Sequence, residues 1–188
     1  AYAAAVDTVA AATDLNIILM NGDVDLLQNI LAKIAARRPL LYAAEATNYK
    51  AMTALAKKFN CPLAVFADGL EELAVLVDKI VALGHKQLVL DPGSRLISDA
   101  IADFTQIRRL AIKKRFRSFG YPIMALTTAA DPLMEVLQAT TYISKYASLV
   151  VLRTKAKEHL LPLLTWRQNL YTDPQVPIRV EEKLNEIG

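Results

Sequence analysis

The stretch Leu88-Val89-Leu90-Asp91-Pro92-Gly93 runs three apolar residues straight into a carboxylate, a proline and a glycine. The apolar run reads as a short buried strand, and the last three residues as a sharp exit from it. In parallel α/β folds, that end of a strand is where ligands bind. Asp91 could there accept hydrogen bonds from a heterocycle. The same residues also satisfy a plain turn: Pro fixes φ, Gly permits positive φ, and Asp caps a backbone N–H. Both readings stay open on the residues alone. Asn21, Glu45 and Asp68 also follow apolar runs. All four could therefore share one rim, and they form the set of candidate cofactor- or ligand-binding residues.

Other chemically capable residues read more plainly. Glu71 and Glu72 are adjacent, so on a helix they point apart and make no acid/base couple; they suit a first turn, where negative charge favours the helix dipole. Arg108, Arg109, Lys113, Lys114, Arg115 and Arg117 form a basic run placed on the last turns of the longest helix, a solvated helix end or a partner surface. Only Phe116 and Phe119 lie near it, which is too few aromatics for a nucleic-acid patch. Cys61 precedes a strand, on the stability face of a barrel, and reads as a small packing residue. Trp166 and Tyr171 read as packing aromatics of the last helix.

His85 and His159 are far apart, and neither has a partner at metal-ligand spacing. The single cysteine excludes an internal disulfide framework and a four-cysteine cluster, and fits a cytoplasmic setting. No phosphate-binding GxGxxG or GxxxxGK[ST] is present, nor GxSxG or HExxH. The residues by themselves reach no reaction, and no catalytic residue is named.

The elements that must position the rim are legible as alternation. Apolar runs at 16–20 (NIILM), 39–44 (PLLYAA), 62–67 (PLAVFA), 87–91 (QLVLD), 121–126 (YPIMAL) and 148–153 (SLVVLR) are continuous, the pattern of strands buried on both faces. Helical stripes fill the gaps: Leu26, Leu27, Ile30, Leu31 and Ile34; Ala51, Leu55 and Phe59; Leu70, Leu73, Leu76, Val77, Ile80 and Val81; Ile97, Ile101, Phe104, Ile107 and Ala111; Leu133, Val136, Leu137 and Tyr142. Asp23 is placed to cap a helix over 23–36 and Thr47 one through Phe59, while Asp131 precedes Pro132 at a first helical position. Gly84 and Gly120 sit where helices should stop.

Strand starts recur at intervals of about 23 residues, lengthening later, so the strands must be parallel with right-handed crossovers. An open doubly wound sheet and a (β/α) TIM-type barrel both meet that rule; six regular units favour the barrel. A full barrel takes about 250 residues, and the chain has 188 with a helical pattern from its first residues. The expectation is an incomplete barrel over residues 1–175 with one or two strands upstream. Residues 176–188 form an exit segment toward a further domain. Such a piece would expose a strand edge and is expected to aggregate or pair when isolated.

Hydrophobic residues make up 54% and charged residues 22% of the chain. Those fractions describe a globular and not a disordered protein. No run is long enough to span a bilayer, the start lacks a secretory signal, and the net charge of +3 implies no nucleic acid.

Four stretches carry a resemblance. RRPLLYAAEATNYKAMTALAKKFNCPLAVFA (37–67), LVLDPG, DFTQIRRLAIKKRFRSFGYPIMAL (103–126) and LLPLLTWRQNLYTDPQVPIRVEEKLNEIG (160–188) together resemble the large (gamma) subunit of the corrinoid iron–sulfur protein of the CO dehydrogenase/acetyl-CoA synthase system. The resemblance covers most of the chain in the family's order, and 127–132 is shorter than the family pattern. It implies three modules in the whole subunit: an N-terminal iron–sulfur domain, a central TIM barrel and a C-terminal corrinoid domain. This sequence resembles the barrel alone, without the cluster cysteines or the corrinoid-binding residues.

The implied role is that of a scaffold within a heterodimeric methyl carrier. It would pair with the small subunit and serve transfer of a methyl group from methyltetrahydrofolate or a related pterin, through a methyltransferase, to acetyl-CoA synthase. The cofactors implied for the whole protein are a cobalamin-type corrinoid and an iron–sulfur cluster, with none held by this chain. DPG after a strand also resembles pterin-binding barrels, such as dihydropteroate synthase and folate-dependent methyltransferases. In those, Asp91 and its rim neighbours would grip a pterin ring. A module that binds partners with no corrinoid link is the third alternative.

Overall fold

A computed structural model describes residues 1–171 of the chain. Its order is α1 (Tyr2–Ala12), β1 (Ile18–Met20), α2 (Val24–Ile34), β2 (Leu40–Ala44), α3 (Tyr49–Phe59), β3 (Leu63–Phe66), α4 (Leu70–Ala82), β4 (Leu88–Asp91), α5 (Ile97–Lys113), β5 (Ile123–Leu126), α6 (Pro132–Ser144), β6 (Ala147–Val151) and α7 (Lys157–Tyr171). Single 3₁₀ turns follow α2 at Ala35–Arg37 and α5 at Arg117–Phe119. All six expected strands are present, and all neighbours are parallel. The exit segment expected at 176–188 and the turn expected after Tyr171 lie outside the described residues.

The sheet order is β1-β2-β3-β4-β5-β6, so each new strand joins the same edge. A doubly wound sheet must reverse its order. This one does not, and right-handed crossovers then set every helix on one face. The result is a curled half-barrel, an incomplete TIM-type barrel among the described residues. Two cores follow from it. Leu19, Leu41, Leu63, Val65, Leu88, Leu90, Ile123 and Ala125 face the helices. Leu40, Ala43, Ala64 and Met124 form the inner face, with Ile18, Tyr42, Phe66, Val89, Leu126, Leu149 and Val151 packed on it.

Alternation assigns most of these residues, since side chains switch face at each strand position. The exceptions sit where register shifts, on β2 between Leu41 and Ala44 and on β6 between Ala147 and Leu149, the partners of Ile123 and Met124. Among the described residues, no helix is long and apolar enough to cross a membrane.

Several local expectations need correcting. Asp23 does cap α2, accepting from the Asp25 and Leu26 amides, but the α-helix ends at Ile34 and tightens into the 3₁₀ turn. Asn48, not Thr47, precedes α3; its side chain instead accepts from the Glu45 amide at 2.7 Å. On α3 the buried stripe is Met52, Thr53, Leu55 and Ala56, with Ala51 exposed. Gly84 ends its turn at φ +86°, whereas α5 ends at Lys113, capped by Lys114, and Gly120 closes the later 3₁₀ turn. The basic run therefore starts on α5 and continues past it, with Arg115 in the left-handed region at φ 53°. The stripe on α6 is rotated: Leu133 and Leu137 are 71% and 52% exposed, while Glu135, Gln138, Ala139 and Tyr142 are buried. Trp166 is 42% exposed and donates its indole N–H to Ser144 Oγ at 2.8 Å, so it is not a core residue.

Candidate functional site

Asp91 is the last residue of β4 and shares the inner face with Val89 two positions earlier. Its carboxylate is completely buried. Arg95, one helical turn on in the β4–α5 loop, closes a two-pronged pair on it: Nη1 donates to Oδ1 and Nη2 to Oδ2, both at 2.8 Å. Such forked pairing is the strong form of the ion pair. Tyr42 reaches in from β2 and donates its phenol to Oδ2 at 2.8 Å. The Gly93 amide donates to Oδ1 at 3.0 Å, which is the turn reading of the DPG sequence. The turn reading is therefore met, and the same carboxylate also accepts from Arg95 and Tyr42 inside the barrel.

Phe66, on the intervening strand β3, lies under the guanidinium at 5.7 Å. The tether spans from β2 over β3 to β4 through the barrel interior, and so supports the curl. Burial, followed by the Asp91 charge and hydrogen bond, pushes the Tyr42 phenol far above its ordinary range. The phenol stays protonated and serves as a donor. Burial works against the Arg95 charge, but the Asp91 contacts outweigh it and raise the guanidinium's value.

Side chains of α6 hold the loop that carries Arg95. On α6, Gln138 donates to the Arg95 carbonyl at 2.6 Å and accepts from the Thr128 and Ala129 amides at 2.9 and 3.2 Å. Tyr142, one turn later, also donates to the Arg95 carbonyl, at 3.0 Å. One turn earlier, Glu135 accepts from Thr127 Oγ1 at 2.5 Å and from the Arg153 and Thr154 amides at 2.5 and 3.0 Å. Burial opposes its charge, yet these donors and the Arg153 cation outweigh it and hold the carboxyl below the usual range. Positions 135, 138 and 142 share one face of α6. That face fastens the loops after β4, β5 and β6 to one another.

The other candidates stand apart from this network. Asn21, after β1, accepts from the Asp23 amide at 2.8 Å and shapes the entry to α2. Glu45 and Asp68, after β2 and β3, are exposed. They flank a shallow cavity of about 430 Å³ with Thr47, Phe66, Glu72 and Lys79. All four candidates do lie at strand ends on one rim, but only Asp91 enters the interior. Sequence reading missed Tyr42, Arg95, Glu135 and Gln138. The available signal was polarity on α6 at positions 135 and 138, in step with Ala139 and Tyr142 and out of step with Leu133 and Leu137.

Cys61 is buried before β3, and burial pushes its thiol up, which suits packing and not nucleophilic chemistry. His85 is buried in the α4–β4 loop, where burial lowers its value, and its Nε2 has no hydrogen-bond partner among the described residues. His159 lies within hydrogen-bonding reach of Thr154 Oγ1, at 3.0 Å. Among the described residues, no three His, Cys, Asp or Glu side chains converge to hold a metal.

Fold and site together define a (β/α)-barrel segment whose one buried strand-end carboxylate is committed to the barrel's own interior. The chain belongs to the CO dehydrogenase/acetyl-CoA synthase delta subunit family, whose model matches residues 1–188. It is 78% identical, over its whole length, to a corrinoid/iron–sulfur protein large subunit of Moorella thermoacetica, of which the alignment covers 42%. The acetyl-CoA decarbonylase/synthase complex subunit gamma of Methanothermobacter thermautotrophicus is 35% identical over 92% of the chain and 40% of that relative. Its counterpart in Methanopyrus kandleri is 34% identical over 100% of the chain and 43% of that relative. The chain thus spans about two-fifths of the length of the curated relatives it matches.

Proposed function

We propose that this chain is the barrel part of the large subunit of a corrinoid/iron–sulfur protein, and that it acts there as a scaffold. The observation that carries this reading is the 78% identity along the whole chain to a large subunit of that name. The whole protein would carry a methyl group from methyltetrahydrofolate or a related pterin, by way of a methyltransferase, to acetyl-CoA synthase. It would do so in the cytoplasm, paired with a small subunit. On this reading residues 1–175 would belong to the barrel and 176–188, which lie outside the described residues, would lead on from it.

The implied iron–sulfur cluster does not fit the residues of this chain. An iron–sulfur cluster needs several thiolates, and the chain has only Cys61. At the barrel mouth, the buried Asp91 carboxylate has both oxygens bonded within the protein and so gives a ligand no free acceptor. On this reading both groups would be held by other parts of the whole protein. What the chain supplies is a fixed rim. The Tyr42–Asp91–Arg95 tether sets its curvature, α6 locks three of its loops, and Asn21, Glu45 and Asp68 remain as side chains that a ligand or partner could meet.

The test is calorimetric titration of the full-length protein with methyltetrahydrofolate, together with a methyl-transfer assay. The scaffold reading expects no binding heat from the protein alone and transfer that depends on added methyltransferase. Clear heat, abolished by Asp91→Asn in a variant that still folds, would instead establish a pterin-binding barrel.

A further inference from the structure

The basic run has more charge than a helix end explains. Six cations lie between Asp103 and Asp131, and no acid does. The dipole of a helix acts within its last turn. Arg108 and Arg109 precede the last turn of α5, and Arg115 and Arg117 lie beyond the helix. Arg108 stacks on Tyr146 at 5.7 Å. Among the described residues, the ion pairs are Lys33–Asp7 and Arg95–Asp91, and neither involves this run.

Arg109 and Lys113 are four apart on α5, a like-charge spacing that disfavours the isolated helix. Spacings of three and four also set Ile101, Arg109, Ile112 and Lys113 along one side of α5. Ile112 is exposed, as are both cations. A groove of about 580 Å³ runs along this side from Ile101 to Lys114, with Lys145 on its wall. Ile101 and Ala102 line one end beside Thr105 and Gln106, and Arg109, Lys113 and Lys114 line the other.

We propose that this groove on α5 docks an acidic, amphipathic protein segment of another subunit of the complex. Its apolar side would lie against Ile101, and its carboxylates against Arg109, Lys113 and Lys145. Arginine beside apolar surface is a common feature of protein–protein contacts. Charge complementarity names the partner: acids on another subunit would pair with cations that take no part in the ion pairs of the described residues. Nucleic acid fits less well: Phe116 and Phe119, beside the run, pack on each other at 5.0 Å, which leaves too few rings for a base-stacking surface. The inference takes from the proposed function only that the chain works in a multi-subunit complex.

The test uses the full-length protein and each purified subunit of its own complex. Arg109→Glu/Lys113→Glu should weaken binding of one subunit by about tenfold or more at low salt, with the gap narrowing as salt rises. Lys50→Glu/Lys86→Glu, with the same change in net charge at other exposed positions, should bind as the unaltered protein does. Thermal melts check that both variants fold. Equal affinities for every subunit, or an equal loss in the control, would overturn the proposal. So would a charge-reversal effect seen only with RNA or DNA. Carbodiimide cross-links from Lys113 to the chain's own Glu181 or Glu182 would overturn it too, by naming an internal occupant. Loss of methyl transfer with docking intact would count against the proposed function and leave this surface standing.

Discussion

The two halves of the rim are built differently. After β4, β5 and β6, loop amides and carbonyls are bonded to buried side chains of α6, and Arg95 is drawn inward onto Asp91. After β1 and β2, the loops close on themselves through Asn21 and Asn48, each binding an amide two or three residues away. Glu45 and Asp68 are left exposed. A loop fixed by a neighbouring helix cannot move without breaking buried bonds, whereas a loop closed locally can. The fastened half therefore gives the barrel its shape, and the open half has the side chains available for contact.

The largest effect should come from the centre of the fastened half. Asp91→Asn leaves Arg95 without its counter-charge and Tyr42 with a poorer acceptor. Breaking a buried pair by removing one partner costs about 3–5 kcal/mol. The Arg95 side chain is 27% exposed, so water recovers part of its charge. The expectation is the lower figure, about 3 kcal/mol, read by urea denaturation. A loss under about 1 kcal/mol would show that the interior tether does not shape the barrel.

Glu135→Gln should cost less, about 1–3 kcal/mol, because it removes one charged acceptor from two amides and a hydroxyl. Its pH dependence has a definite sign. The folded carboxyl titrates below its ordinary 4.5, so the folded state favours the ionised form. The stabilisation is complete above that ordinary value and is lost as pH falls through the lower folded one. The gap between the two proteins should hold from neutral pH down to about pH 5 and close below it. A constant gap down to pH 3 would mean that packing, not charge, accounts for the loss.

These two residues also show what the sequence could disclose. Six apolar runs, their parallel order and the caps at Asp23 and Asp131 were legible, because strand burial and capping are local properties. The rotated face of α6 was not. Leu133, Val136 and Leu137 outweigh Glu135 and Gln138 on any count of hydrophobicity, and only the loops packed against the helix make the polar side the buried one. Asp91 was found by its place at a strand end. Its partners were not, because Tyr42 is 49 residues away and meets it only through the curl of the sheet.

Gly93 sits where the two halves meet, and the effect there should be intermediate. Its φ is +78°, and a Cβ would come within 3.1 Å of the Ala67 carbonyl and of Asp68 Oδ1. Gly93→Ala must strain the turn or displace the β3–α4 loop, at about 1–2 kcal/mol. Faster hydrogen exchange at the Gly69 amide, which donates to the Pro92 carbonyl at 3.3 Å, would report the displacement.

The smallest effect on stability belongs to the open half. Glu45→Ala and Asp68→Ala remove exposed carboxylates that make no ion pair among the described residues. Each should change unfolding free energy by no more than about 0.5 kcal/mol. If the open half meets a ligand or partner, the paired variant should nonetheless alter methyl transfer by the full-length protein, measured beside Asn21→Ala. A change in transfer without a change in stability would separate contact from shape and assign contact to this half. Were transfer unchanged in all three, the rim would be a support on both sides, and the contacts of the barrel would have to be sought on its outer helices.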